Sequence, residues 1–155
     1  MNDPQAPENV AARATQEDPI IMYLIVRESL NMGMGKTAAQ CAHASQMLLL
    51  KFKAMELKDF DRVSIIYPEE IEAALANKCK TDLFRAWLNN SFRKVVLKAD
   101  DKEWAKLKTD MEDEDVLVVD AGLTEIASGS ETVIGLFPMY KSKVGKLVKR
   151  LQVLK

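Results

Sequence analysis

The run IIMYLIVR at residues 20–27 constrains the fold more than any other stretch. Seven apolar residues, several of them β-branched, lead to Arg27 with no polar residue to turn toward water at alternate positions. Such a run reads as a strand buried on both faces, so other elements must cover it from both sides. Segments of helical and strand character then follow along the chain. A helix is expected from about Thr37 to Phe52, where Thr37 and Gln40 have capping-box spacing. Residues 54–92 read as mostly helical, with Pro68 and its acids favouring a helix start. Then come a strand RKVVLKA (93–99), a short amphipathic helix in DKEWAKLKTDMED and a strand in DVLVVDAG that ends at a glycine turn. ETVIGLFP (131–138) is a last strand, stopped by Pro138. In the tail, Val144, Leu147, Val148 and Leu151 fall at helical spacing. The expected fold is α/β: a single domain with a mixed, largely parallel β-sheet of about four strands, flanked by helices on both faces.

The domain covers 20–155, with an extra helical segment near 54–80. Its 155-residue chain is 48% hydrophobic, enough for one core that buries about two thirds of the unfolded surface. Residues 1–19 are polar, Pro-bearing and net acidic, and are expected to be a disordered arm without a signal-peptide core. No apolar run approaches the roughly 20 residues of a membrane helix. Two cysteines, Cys41 and Cys79, lack paired spacing, which makes a reduced cytoplasmic location the default. The net charge of -1 gives no global case for nucleic acid. Its distribution does give a local one. Residues 139–155 carry Lys141, Lys143, Lys146, Lys149, Arg150 and Lys155 and no acid, whereas 100–115 are rich in Asp and Glu. A solvated helix face explains the basic tail equally simply.

The stretch NMGMGKTAAQCAHA (31–44) invites a nucleotide reading. A P-loop needs a glycine five residues before Gly35, and Leu30 stands there. The Gly33-x-Gly35-x-x-Ala38 spacing lies too far beyond the strand for a dinucleotide fingerprint. The glycines still allow close backbone approach, and a helix N-terminus beside Lys36 attracts anions. Nucleophile–base pairing fails too. Cys41 and Ser45 lie two residues from His43, about 160–200° around a helix axis. One histidine in the chain argues against a His-based metal site. Lys36, Gln40, His43 and Met47 share a narrow helical arc, and the opposite arc, with Ala38, Cys41, Ala42, Ser45, Leu49 and Phe52, suits packing on a sheet. Ordinary readings compete: a surface histidine, a solvated lysine, and a turn-capping Asp120 before Gly122. Parallel strands would nevertheless bring Lys36 and Asp120 to one sheet edge, where open α/β sheets place ligands.

Taken together, LIVRESLNMGMGKTAAQCAHA (24–44), RKVVLKA (93–99) and DAGLTEIASGSETVIGLFP (120–138) resemble the type-2 peptidyl-tRNA hydrolases, over about two thirds of the chain. The resemblance implies an enzyme that hydrolyses the ester between a peptide and the 3′ ribose of tRNA. It also implies a compact, often homodimeric α/β fold with no metal or organic cofactor. The catalytic cluster it implies is Lys36, His43, Asp120, Thr124 and Thr132; Gly33 and Gly35 are placed on the substrate side by the close backbone approach they allow. Gln40 joins them from the helical periodicity. Asp120 would orient or deprotonate a water, helped by Thr124 or Thr132. Lys36 would stabilise the oxyanion or bind the terminal phosphate, and His43 would relay a proton. Asp120 and His43 could exchange the water-activating role. The tRNA would meet the basic tail and Lys51 or Lys53. The chain departs from the family pattern at Ser29, Leu123 and Phe137, in the tail, and in the segment near 54–80. Those departures motivate a rival reading, a non-catalytic RNA- or protein-interaction module that keeps the hydrolase fold.

Overall fold

The computed structural model describes residues 18–61, 68–123 and 125–155. The arm expected over 1–19 lies outside them except for Asp18 and Pro19, as do residues 62–67 of the extra segment. The carboxylate of Asp18 accepts hydrogen bonds from the backbone N–H and the hydroxyl of Ser142.

The buried run forms β1 (Ile20–Arg27), the middle strand of a five-stranded sheet. It pairs in parallel with β2 (Lys94–Ala99) and antiparallel with β4 (Glu131–Tyr140). β3 (Val116–Val119) lies antiparallel on β4, and the two-residue β5 (Gln152–Val153) lies antiparallel on β2. The order is β3-β4-β1-β2-β5. The sheet is therefore mixed, but not largely parallel: only the β1–β2 pairing is parallel. The chain returns directly from β3 through a loop into β4, and that short connection permits only antiparallel pairing. β5 was not expected, because two residues carry no readable periodicity.

Pro138 does not stop β4. Ile21 pairs with Met139 and Tyr23 with Leu136, so Phe137 and Pro138 together face Met22 in a bulge. A bulge is where a strand tolerates a residue with no N–H to give. The Phe137 N–H turns to the buried carboxylate of Asp115 at 2.8 Å. Burial pushes the Asp115 carboxyl above its ordinary value, and the N–H groups of Phe137 and Glu112 pull against that shift.

β1 alternates its side chains between two cores, as a strand must. Ile20, Met22, Leu24 and Val26 face one, with α1 (Met34–Asp61) and α2 (Pro68–Ala86) over them. Ile21, Tyr23 and Ile25 face the other, beneath α3 (Asp101–Asp110) and the short α4 (Lys146–Arg150). α3 opens on a capping box made by Asp100 and Glu103. Only part of the amphipathic tail is helical, and it ends before β5.

α1 is longer at both ends than the expected helix: it takes in Gly35 at its start, and no Gly or Pro interrupts the chain from there to Pro68. Its buried face also differs from the expected arc. Gln40, Cys41, Ala44, Leu48 and Phe52 are buried, while Ala38, Ala42 and Leu49 are exposed. The reason lies partly in Gly135 of β4. A Cβ there would sit 2.9 Å from Val116, 3.0 Å from Leu48 and 3.4 Å from Ala44. The helix thus settles closest to the sheet where β4 has no side chain. Farther along, Phe52 stacks on Phe84 of α2 at 4.4 Å, and Phe84 meets Phe137 at 4.9 Å. Phe137, one of the departures, fills the space beneath α2. Among the described residues no helix is long and apolar enough to cross a membrane.

Candidate active site

β1 and β3 are both antiparallel to β4, so they run in the same direction. Their C-terminal ends share one edge of the sheet. α1 starts just beyond the first, and Asp120 follows the second.

The Asp120 backbone is clamped across its loop: its N–H donates to Ser130 at 2.9 Å, and its carbonyl accepts from Gly129 at 2.8 Å. Its side chain closes an Asx turn, with Oδ2 accepting the Gly122 N–H at 2.7 Å. Gly122 has φ +74, and a Cβ there would lie 2.4 Å from the Ser128 nitrogen, so the turn requires glycine. The turn-capping reading of Asp120 is thus correct, and it coexists with a second set of bonds. Oδ1 accepts from the Lys36 ammonium at 2.5 Å and from the Gln40 amide at 2.9 Å. The Gln40 oxygen in turn accepts the Thr132 hydroxyl at 2.6 Å.

Lys36, Gln40, Asp120 and Thr132 therefore form one connected chain of hydrogen bonds. Both members of the Lys36–Asp120 pair are nearly out of solvent, with side chains 10% and 7% exposed. The hydrogen bond from Lys36 is the main reason the Asp120 carboxyl lies below its ordinary value. Burial opposes that shift, and the Gly122 N–H, the Lys36 charge and Gln40 reinforce it. A carboxylate held this way is ionised at neutral pH, orients donors well and is a weak proton acceptor.

An open cleft of about 530 Å³ lies over the pair. Gly35, Lys36, Ala39, Gln40 and His43 line it from α1. Val119, Ala121, Leu123 and Glu125 line it from the other side. His43 is exposed on this wall, one helical turn beyond Gln40. Thr132 is fully buried beneath the cleft and reaches Asp120 only through Gln40. Gln40, expected on the substrate side, also lines the cleft, but it is 3% exposed and bonded to Asp120 and Thr132. Gly33 gives its N–H to Glu125 Oε2 at 2.9 Å, so this donor of the glycine segment already has a carboxylate partner. Thr124 lies outside the described residues.

Glu125 was missed by sequence reasoning, because one glutamate in a polar loop carries no spacing signal. Ser29 gives its hydroxyl to Asp101, which also pairs with Arg27. Of the lysines proposed for RNA, Lys51 bonds the Asp113 carbonyl and Lys53 pairs with Glu56. A second cleft of about 710 Å³ opens between β1, β2 and β5. Of its charges, Arg27, Glu28 and Lys98 are engaged in ion pairs, and Lys155 of the basic tail also lines it. Among the described residues no three His, Cys, Asp or Glu side chains are grouped to hold a metal ion.

This arrangement suits hydrolysis of a polar bond: a fixed carboxylate, a cation beside it and an imidazole on the same cleft. Known proteins point the same way. The profile of the family Peptidyl-tRNA hydrolase PTH2 matches residues 20–154. A peptidyl-tRNA hydrolase of Methanococcus vannielii is 32% identical over 136 residues, covering 84% of this chain and 96% of the relative. A probable peptidyl-tRNA hydrolase 2 of Schizosaccharomyces pombe is 32% identical over 149 residues, 94% of this chain and 61% of the relative. The mitochondrial peptidyl-tRNA hydrolase 2 of Bos taurus is 32% identical over 136 residues, 85% of this chain and 63% of the relative. With its profile match running from β1 to the end of β5, the chain belongs to the PTH2 family of peptidyl-tRNA hydrolases.

Proposed function

We propose that the chain hydrolyses the ester joining a peptide to the 3′ ribose of tRNA, with the Lys36–Asp120–Gln40 cluster at the reacting centre. One observation carries the assignment to residues: a nearly buried Lys36–Asp120 pair at the base of an open cleft. A water attacks the ester carbonyl, the carbon–oxygen bond to the ribose breaks, and the ribose oxygen leaves with a proton. Asp120 holds and orients the water, since its depressed basicity suits an orienting role better than outright deprotonation. Lys36 stabilises the negative charge that develops on the carbonyl oxygen. His43 lines the same cleft and moves the proton between water and leaving ribose. Gln40 and Thr132 hold Asp120 in place, and Gly35 lets the substrate approach the backbone. Thr124 stays in the proposal on the sequence resemblance.

Peptide release from a peptidyl-tRNA tests this reading. The wild type is expected to turn over, Lys36→Met to lose about 100- to 1,000-fold in kcat, and His43→Ala to lose a smaller factor. A wild type that binds tRNA and releases no peptide would establish the rival, non-catalytic module. A cytoplasmic setting fits two free thiols, Cys41 and Cys79. A homodimer could use the exposed Met47, Leu50 and Leu57 on α1, and sedimentation of Leu50→Lys against wild type checks that surface.

A further inference from the structure

The two walls of the candidate cleft differ in charge, and that difference assigns them to different parts of the substrate. Between Lys108 and Lys141 the chain has no Lys or Arg. This stretch contains the turn before β3, all of β3, the cleft loop and all of β4. It carries eight carboxylates, those of Asp110, Glu112, Asp113, Glu114, Asp115, Asp120, Glu125 and Glu131. Lys80 and Lys108 from other elements pair with Glu114 and Glu131, and Lys36 with Asp120, so part of this charge is compensated. Of the eight, Asp120 and Glu125 line the cleft, whereas Asp110 to Asp115 precede the far end of β3, with Asp115 buried against Phe137. A cleft wall with two carboxylates and no cation of its own repels a phosphate backbone.

On that same side two large apolar side chains are exposed at the cleft. Leu123 is 88% exposed and Val119 57% exposed, and both line the cleft beside Asp120. A single exposed leucine needs no explanation, but two beside a buried ion pair form an apolar ledge at the reacting centre.

We infer that this ledge receives the side chain of the peptide's C-terminal residue, with the tRNA directed away from the β3–β4 side by its charge. The inference rests on the hydrolase reading above. The occupant follows from chemistry. The substrate has a polyanionic half and a peptide half joined at the ester, and an apolar ledge flanked by Asp120 and Glu125 suits the peptide half. Contact with one side chain in an apolar site typically discriminates by about 10- to 200-fold when enclosed, and an open ledge belongs at the low end.

The test uses one tRNA acylated with either N-acetyl-phenylalanine or N-acetyl-glycine. Wild type should prefer the phenylalanyl ester by roughly tenfold in kcat/KM. Leu123→Ser and Val119→Ser should bring that ratio toward unity, mainly through KM for the phenylalanyl ester, and Leu123→Met should keep it. Both side chains are exposed, so folding is retained. Equal losses on the two esters would put the terminal nucleotide on the ledge and overturn the inference, as would an unchanged ratio in both serine variants. A wild type that hydrolyses neither ester would overturn the hydrolase reading and this inference with it.

Discussion

Asp120 receives hydrogen bonds from Lys36, Gln40 and Gly122, and each donor comes from a different local necessity. Lys36 and Gln40 are one turn apart on α1, and Gly122 is fixed by a backbone conformation only glycine adopts comfortably. The depressed carboxyl has a consequence for stability with a definite sign. The pair's contribution is complete above the unfolded carboxyl's value and is lost as pH falls through the lower folded value. The Tm gap between wild type and Asp120→Asn should therefore be steady from about pH 6 to 8 and shrink below about pH 4. A gap that closes between pH 6 and 8 would assign the stabilisation to another group. Thr132 is tested separately. Thr132→Val leaves the buried Gln40 oxygen without its donor, which costs about 1–3 kcal/mol. It should lower kcat more than it raises KM, and Thr132→Ser should restore both. That Lys36, His43 and Asp120 meet at one cleft was legible in the sequence, because Lys36 and Asp120 follow strands and His43 shares a helical arc with Lys36. The buried role of Gln40 was not. Periodicity gives the relative angles of side chains around a helix, but the absolute rotation of α1 depends on how the sheet receives it.

That rotation is set at the scale of elements. Gly135 lets Ala44 and Leu48 approach β4, which turns Gln40 inward and leaves Ala38 and Ala42 outside. Gly135→Val should cost about 1–3 kcal/mol by overpacking. It should also reduce peptide release, because lifting α1 moves Lys36 and Gln40 off Asp120. Thermal melts and kinetics on the same sample check both effects, and a destabilised variant with undiminished kcat would separate packing from catalysis. Phe84→Ala, far from the cleft, should cost about 3–5 kcal/mol through the lost stack with Phe52. Strand and helix positions were legible because β1 is apolar on both faces and no breaker interrupts α1. The antiparallel majority was less so, since periodicity does not report strand direction. The bulge at Phe137 and Pro138 was hidden because its compensation is the distant Asp115.

For the whole molecule, the charge map matters more than the net charge of -1. The β3–β4 side is acidic, and the basic tail begins at Lys141, beyond the β4 end that pairs with Ile20. That is the opposite edge of the sheet from Asp120, about 20–25 Å along β1. Chain direction then reverses through α4, which brings Lys149 and Arg150 back toward the β2 end near Lys98. Binding of tRNA should weaken linearly in log–log plots against salt, and Arg150→Ala should lower the slope by about one if that residue meets a phosphate. The role of the Asp120 carboxylate is decided by single-turnover release of peptide from peptidyl-tRNA by Asp120→Asn. The rate should fall by about 100-fold or more relative to wild type, in line with loss of a preorganised electrostatic group, with folding intact. A well-folded Asp120→Asn that releases peptide at the wild-type rate would contradict it.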